Sequence, residues 1–412
     1  MEMTKYKLGD IAKTGSGGTP KSTVADYYEN GNIPWINSGE LNNPFISSTS
    51  NFITQKGYDN SSAKLFPSQT VLLAMYGATA GKASLLEFEA CTNQAICAIM
   101  PNQDILLPRF LKYKLDTMYN YLVGLSTGSA RDNLSQDGIK ALELCIPPLS
   151  EQKKIASVLS ALDDKIALNK KMNQKLEAMA KRLYDYWFVQ YDFPDKNGHP
   201  YKTTGGPMTY NPTLKREIPA GWEVSNICPL MEILPGGTPS KAKPEYWNGE
   251  IPFFGPTDYC GDVFQLSTEE HITENGLNNC ASALYPPKTI FITARGSVGK
   301  LIVCGKPMAM NQSCYALKPF DLEKYEYLFY LTKQLIEQLK KKGSGSVFKS
   351  INTLDIEQSF LSIAPNEIID LYCKKVKSIF ERIKSNTVEI AKLTALRDKL
   401  LPLLMNGQVT IK

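Results

Sequence analysis

The sequence consists of two related halves, because a series of motifs returns in the same order about 218 residues later. The matching segments are 17–20 (Gly-Gly-Thr-Pro) with 236–239, 30–35 with 248–253, 70–82 with 289–300, 93–94 (Asn-Gln) with 311–312, and 146–147 with 364–365. Ordered matches at a nearly constant offset indicate a tandem duplication. The chain is therefore expected to fold as two copies of one unit.

Each half shows the same pattern of short strands and helices. Apolar and β-branched runs between glycines and prolines predict strands at 70–75, 83–88 and 95–100, and again at 289–294, 300–304 and 313–317. The apolar spacing over 109–122 and 323–341 predicts helices. Each half ends in a short strand, a proline and a polar helix start, so we predict mixed α/β units.

Composition excludes several classes of protein. No apolar run reaches the length of a membrane span, and no signal peptide is expected at the N-terminus. The nine cysteines include no Cys-x-x-Cys pair, which favours reduced, mostly buried thiols in a cytoplasmic protein. Only two histidines are present, so a zinc site or an imidazole-based triad is not expected.

The net charge of +5 is small for a nucleic-acid-binding protein. The two globular segments are near neutral, and the basic surplus lies in segments 151–217 and 366–412. Composition alone therefore does not predict DNA binding.

Each half is followed by a long segment with apolar residues in alternating steps of three and four, which is a heptad pattern. The pattern predicts a helix that pairs with another helix, although packing on its own domain is an alternative. Asn169 and Asn386 are equivalent in the two halves and lie on the predicted seams, where buried asparagines would fix the register. In an antiparallel pair they could hydrogen-bond each other; the alternative is that each points to solvent. The seam residues are Ile155, Val158, Leu162, Lys165, Asn169, Met172, Leu176, Met179, Leu183 and Tyr186 in the first helix, and Val376, Ile379, Ile383, Asn386, Ile390, Leu393, Arg397, Leu400 and Leu404 in the second.

The candidate catalytic motifs lack the residues or the spacing that their chemistry requires. Segment 77–82 has three residues between its glycines and Ala83 after its lysine, so it predicts a tight turn between strands rather than a phosphate loop. A methyltransferase would need a glycine-rich cofactor turn and an Asn/Asp-Pro-Pro-aromatic motif, and neither is present. Pro194-Asp195 lacks the partners of a nuclease motif, so we predict no metal and no catalytic residue.

The two-fold repetition, the long helix after each half and the lack of catalytic motifs together resemble the specificity subunit of a Type I restriction–modification system. The most specific match is segment 146–156 (Ile-Pro-Pro-Leu-Ser-Glu-Gln-Lys-Lys-Ile-Ala), which is similar to the family's entry into its first conserved helix. The repeated Gly-Gly-Thr-Pro and Asn-Gln motifs and segment 218–222 (Ile-Pro-Ala-Gly-Trp) also fit.

This resemblance implies an α+β fold in which two target recognition domains are separated by two long antiparallel coiled-coil helices, with pseudo-two-fold symmetry. Each domain would recognise one half of a bipartite sequence in double-stranded DNA. The helices would set the half-site spacing and bind two methyltransferase subunits, which would carry S-adenosylmethionine; motor-nuclease subunits would complete the complex. No cofactor is expected on this chain. The expected domains are 1–148 and 218–365, the long helices 149–190 and 366–405, a polar linker 191–217 and a tail 406–412.

Candidate DNA-binding residues lie in polar loops that occur in both halves, and Arg131 and Arg295 are favoured because arginine suits bidentate contact with guanine. The alternative for the threonines and asparagines is that they form turns, and Asn93-Gln94 could satisfy buried backbone groups. A self-contained DNA methyltransferase or nuclease, or a coiled-coil scaffold without a DNA role, are the competing functions. The candidates are Thr19, Lys21, Asn37, Ser38, Tyr76, Thr79 and Arg131 in the first half, and Thr238, Lys241, Thr257, Asp258, Arg295, Ser297 and Lys349 in the second, with 126–133 and 340–349 as wider segments.

Overall fold

The computed structural model describes residues 2–127, 134–342 and 350–411. The chain forms two compact units. The first comprises Met1–Asp164 and Leu393–Lys412, and the second comprises Lys165–Lys392.

The first unit contains three sheets. A five-stranded sheet has the order Ala12–Ser16, Ile96–Pro101, Val71–Ala74, Ala83–Leu86 and Phe45–Ile46. A four-stranded sheet has the order Phe52–Ile53, Ile33–Ile36, Ala90–Thr92 and Leu65–Phe66, and a two-stranded sheet joins Thr4–Lys7 to Glu143–Ile146. The helices are Leu8–Ile11, Gln55–Asp59, Pro108–Thr117, Tyr119–Thr127 and Gln136–Lys140, with 3₁₀ turns at Ala25–Tyr27 and Ser38–Asn42.

The central strand Val71–Ala74 is continuously apolar because both of its faces are buried. Val71 and Leu73 belong to a core that includes Phe110 of helix Pro108–Thr117. Leu72 and Ala74 belong to a second core that the four-stranded sheet helps to form. The alternating directions of side chains along a strand produce this helix–sheet–sheet layering.

The second unit repeats this arrangement. Its five-stranded sheet has the order Met231–Pro235, Cys314–Pro319, Ile290–Thr293, Leu301–Cys304 and Phe264–Gln265. A three-stranded sheet has the order His271–Ile272, Trp247–Phe254 and Ala309–Met310. Two two-stranded sheets join Glu223–Ser225 to Leu361–Ile363 and Met208–Asn211 to Arg216–Pro219. The helices are Glu274–Asn278, Tyr325–Lys342 and Thr353–Glu357, with 3₁₀ turns at Pro244–Tyr246, Pro256–Asp258 and Leu322–Lys324.

Equivalent strands therefore occupy equivalent positions in the two five-stranded sheets, which confirms the duplication. The six strands predicted from the sequence are present within one or two residues of their expected limits. The helix expected at 109–122 is divided at Met118.

The two long helices run over Leu149–Tyr184 and Asn366–Met405. The second has the expected limits. The first ends earlier than the expected residue 190 and continues as a π-helical turn, Asp185–Val189. At about 1.5 Å per residue their lengths are roughly 54 and 60 Å.

The seam predicted for the first long helix is partly wrong. Met179 is 59% exposed, and Ala180 and Tyr184 are buried instead. Because an α-helix has 3.6 residues per turn, its buried stripe drifts away from a strict heptad pattern. Tyr184 lies within an aromatic cluster that includes Phe188 and Tyr372, which favours burial of this side of the helix.

The segment 191–217, expected as a polar linker, is structured and contributes to the core of the second unit. Tyr191 and Phe193 are buried, and Trp222 contacts both rings. The carboxylate of Asp192 accepts hydrogen bonds from the backbone N–H and hydroxyl of Thr203, each at 2.7 Å. The aromatic residues, rather than the polar majority, determine how this segment packs.

Candidate nucleic-acid interface

The Gly-Gly-Thr-Pro loop of each unit passes against a neighbouring strand end at a distance that only glycine permits. A Cβ added to Gly17 would lie 1.9 Å from the carbonyl oxygen of Thr92, and one added to Gly236 would lie 2.0 Å from that of Asn311. The following Gly18 and Gly237 are equally confined, by Ser62 and by the backbone of Ala281. The paired glycines therefore position this loop in both units.

The same loop is tied to the Asn-Gln motif by a hydrogen bond that is repeated in the two units. The hydroxyl of Thr19 donates to the side-chain oxygen of Gln94 at 2.5 Å, and Thr238 donates to Gln312 in the same way. Sequence reasoning placed Thr19 and Thr238 among DNA contacts but did not include Gln94 or Gln312. The signal for the glutamines was present, since Asn-Gln occurs in both halves.

Backbone hydrogen bonds bring two further loops to the Asn-Gln motif. In the first unit, Asn93 donates to the carbonyl of Ile36 at 3.0 Å, and Met75 donates to that of Ala95 at 2.8 Å. In the second unit, Asn311 donates to Phe254 at 2.9 Å, and Ala294 donates to Ser313 at 2.7 Å. Each unit therefore gathers four loops, which we call its loop edge: 17–21, 37–40, 76–80 and 93–95 in the first unit, and 236–241, 255–258, 295–299 and 311–313 in the second.

Asn37 begins a 3₁₀ turn, and its side chain accepts a hydrogen bond from the N–H of Gly39 at 2.9 Å. Glu40 completes a capping box by accepting from the N–H of Asn37. In the second unit, Asp258 caps Gly255 at 2.7 Å and also accepts from Glu269. Asn37 and Asp258 are thus used to shape their loops, whereas Ser38 is half-buried and Thr257 is exposed.

The turns at 77–82 and 296–300 connect adjacent antiparallel strands, as predicted. Gly77, Gly81, Gly296 and Gly299 all have φ between +77° and +84°, a region that favours glycine. Thr79 is buried, which removes it from the accessible candidates, while Tyr76 is half-buried.

The turn of the second unit presents different side chains. Arg295 and Ser297 are exposed. Among the described residues the guanidinium of Arg295 has no hydrogen-bond or ion-pair partner, and its backbone pairs with Ser350 in an isolated bridge. An exposed, unpaired guanidinium is available to a ligand outside the chain.

The lysines that follow the two Gly-Gly-Thr-Pro motifs differ in their contacts. Lys21 is exposed. Lys241 forms an ion pair with Glu270 at 2.8 Å and lies 5.2 Å from the centre of the Trp247 ring. The remaining candidates Arg131 and Lys349 lie outside the described residues.

The polar residues between the long helices form a network in the second unit. Asn169 and Asn386 are buried, at 0% and 1% exposure. Asn386 donates to Asn173 at 2.9 Å, and Asn169 donates to Glu389 at 2.9 Å. The expected hydrogen bond between Asn169 and Asn386 is therefore wrong. Each donates to a different residue, and their own side-chain oxygens are buried without a partner.

The long helices also contact each other in the first unit. Arg397 donates to the buried carboxylate of Asp163 at 2.9 Å, and the hydroxyl of Tyr113 donates to the other oxygen of that carboxylate at 2.6 Å. Leu404 and Met405 share a core with Ile155 and Leu159. The long helices are thus in contact within each unit.

The nine cysteines are free thiols. Burial raises the pKa of Cys91 to about 11 and that of Cys97 and Cys314 to about 12, so these thiols are protonated at neutral pH. Within residues 2–127, 134–342 and 350–411, no three His, Cys, Asp or Glu side chains are grouped to hold a metal ion. None of the described helices is both long and apolar enough to cross a membrane.

The described residues form two loop edges on a duplicated frame, and comparisons with known proteins identify the family of the chain. The sequence model of the Type I restriction modification DNA specificity domain matches residues 1–178 and again 219–395. The MjaIX specificity subunit of Methanocaldococcus jannaschii is 30% identical over 415 residues, covering 98% of this chain and 93% of that protein. The HindI specificity subunit of Haemophilus influenzae is 27% identical over 462 residues, covering 98% and 99%.

A solved structure has the same fold. The S subunit of a Type I restriction–modification system from M. genitalium matches with a TM-score of 0.58 at 15% identity, covering 98% of this chain and 96% of that one. The chain belongs to the Type I restriction–modification DNA specificity family. The prediction of a specificity subunit, whose role is DNA recognition rather than catalysis, is confirmed.

Proposed function

We propose that each unit recognises one half of a bipartite DNA sequence through its loop edge. The observation that supports this proposal is the repetition of one loop frame with different side chains at its surface. The frame is held by the same Thr–Gln hydrogen bond in both units. Two half-sites of different sequence need a common docking geometry and different base contacts, because phosphate contacts position a protein whereas base contacts specify the sequence.

The base-reading residues are those that the loop edges leave accessible. In the first unit these are Lys21, Ser38 and Tyr76, and in the second they are Thr257, Arg295 and Ser297. Arg131 and Lys349 are added from the sequence alone. Arg295 is the strongest of them, since a guanidinium can contact O6 and N7 of guanine together. Thr19, Asn37, Thr79, Thr238 and Asp258 shape the loops, and Lys241 is held in its ion pair.

The long helices act as the spacer. We propose that they form an antiparallel coiled coil, with the two units related by a pseudo-two-fold axis. Two contacts support the antiparallel pairing, Asn169 with Glu389 and Asn173 with Asn386. The residue number rises along the first helix while that of the contacted residue falls along the second. Half-sites about one DNA turn apart, roughly 34 Å, are within the reach of helices of this length.

The helices would also bind two methyltransferase subunits that carry S-adenosylmethionine and modify the DNA, and motor-nuclease subunits would join for cleavage. No cofactor would be bound by this chain. The free thiols favour a cytoplasmic location, where cysteines stay reduced.

The role is tested with purified chain, duplex DNA and labelled S-adenosylmethionine, with and without a co-expressed methyltransferase subunit. Label should enter DNA with an unmethylated target only when both proteins are present, and should not enter DNA whose target is already methylated. Transfer by this chain alone would instead support a self-contained methyltransferase.

A further inference from the structure

Beside the loop edge of the second unit lies an open cleft with three lysines. Lys300, Lys333 and Lys340 line it together with the carboxylates of Glu177 and Asp262. Tyr259 and Phe329 supply aromatic walls. Three ammonium groups and two carboxylates give the cleft a net charge of about +1, which matches the single negative charge of a phosphodiester.

The lysines differ in what they already contact. Lys333 forms an ion pair with Glu177 at 2.6 Å, so these two charges neutralise each other. Lys300 lies with its Nζ 5.2 Å from the centre of the Tyr259 ring, which orients the ammonium group without neutralising it. Among the described residues, the ammonium groups of Lys300 and Lys340 have no hydrogen-bond or ion-pair partner.

The turn at Gly299 places these two lysines together. A Cβ at Gly299 would lie 3.1 Å from Cε and 3.4 Å from Nζ of Lys340, so the end of that side chain passes directly over the turn. Lys300 is the next residue. Arg295, at the start of the same turn, is the exposed arginine of the loop edge.

The first unit does not repeat this cleft. Lys82, the counterpart of Lys300, donates to the side-chain oxygen of Asn42 at 2.5 Å. Over the corresponding Gly81 lies the side chain of Val123, where the second unit has Lys340. The basic cleft is thus a property of the second unit and not of the shared frame.

We infer that Lys300 and Lys340 hold a backbone phosphate of DNA beside the turn that carries Arg295. This assignment rests on the proposed function, since the phosphate belongs to the DNA that the second loop edge would recognise. A phosphate fixed at this point sets the position of the duplex relative to the turn, and therefore the base that the Arg295 guanidinium reaches. The two lysines are positioning residues, and they contact no base.

The test uses the full chain and a fluorescent duplex of mixed sequence, because phosphate contacts do not depend on sequence. Binding constants are measured over a range of salt concentrations for the unaltered chain, for Lys300→Gln/Lys340→Gln and for the charge-preserving Lys300→Arg/Lys340→Arg. The control is Lys196→Gln/Lys202→Gln, which removes two exposed lysines elsewhere in the same unit. Thermal unfolding of each variant verifies the fold.

Loss of two phosphate contacts should reduce the slope of log K against log salt by about 2, whereas the arginine variant and the control keep the original slope. An unchanged slope in the glutamine variant, or an equal reduction in the control, would overturn the phosphate assignment alone. Absence of salt-dependent binding by the unaltered chain would contradict the proposed function itself.

Discussion

Nδ2 of Asn386 donates a hydrogen bond to Oδ1 of Asn173 at 2.9 Å, and both side chains are buried. This contact joins the two long helices within the second unit. Asn173 also donates to the hydroxyl of Thr387 at 3.3 Å. A one-turn slip of either helix would separate these groups and leave buried amides unpaired, so the contact favours one register.

The first prediction concerns that pair. Asn386→Leu should lower the free energy of unfolding by about 1–3 kcal/mol, because Asn173 loses its donor inside the protein. The double variant Asn173→Leu/Asn386→Leu should lower the free energy of unfolding by less than the sum of the two single changes. The difference is a coupling energy of about 0.5–3 kcal/mol in a double-mutant cycle. Denaturant unfolding of the unaltered chain, the two single variants and the double variant measures this coupling energy. Additive effects would show that the two amides do not interact.

A second prediction concerns pH. Glu326 is 3% exposed and one of its oxygens has no hydrogen-bond partner. Burial raises the pKa of Glu326 to about 7 from the ordinary value of 4.5, against the smaller opposing effects of a backbone hydrogen bond and of Lys288. Because the folded state holds this proton more tightly than the unfolded state, stability should fall as pH rises from about 4.5 to about 7 and then level off.

Glu326→Gln removes the ionisation and keeps the shape of the side chain. We expect the variant to be more stable than the unaltered chain at pH 8, by up to about 3 kcal/mol, and the gain to disappear near pH 4. Unfolding midpoints measured across this range provide the comparison. A gain of the same size at both pH values would show that the carboxylate is not the cause.

A third prediction concerns the Gly-Gly-Thr-Pro loop. Gly17→Ala should destabilise the chain by more than about 2 kcal/mol, since the added methyl group meets the backbone of Thr92. Gly236→Ala should destabilise the chain by a similar amount, since its methyl group meets the backbone of Asn311. Gly124→Ala is the control, because no described atom outside its own helix turn lies within 4 Å of the added Cβ and alanine favours the helix by about 0.5–1 kcal/mol. Thermal unfolding distinguishes them, and a tolerated Gly17→Ala would contradict the close approach.

The sequence was sufficient to predict the repeated frame, since its strands and turns depend on local patterns such as the apolar run at 70–75 and the glycines at 77 and 81. It was not sufficient to pair Asn386 with Asn173, because a heptad pattern specifies which residues face a partner but not the offset between two helices. The Thr19–Gln94 bond joins residues 75 positions apart, and their contact depends on the order of strands in the sheet. Tyr191 and Phe193 were overlooked because the surrounding residues are polar.

A fourth prediction concerns base recognition. Arg295→Ala should weaken discrimination at one base pair of one half-site by about 1–3 kcal/mol and leave the other half-site unchanged. The matched control is Lys318→Ala, which removes a positive charge in an exposed ion pair on the same sheet. Sequencing of the sites methylated by the assembled complex gives the preference at each position. Unaltered preference at every position would exclude Arg295 as a base contact.

The most direct test of two-site recognition is to co-express this chain with its methyltransferase subunit in a host that lacks the system, and to map every methylated base in the genome. Recognition of one half-site by each unit should give one bipartite motif, with two short specific parts separated by a gap of fixed length. A continuous motif, or no methylation above that of the methyltransferase subunit alone, would contradict it.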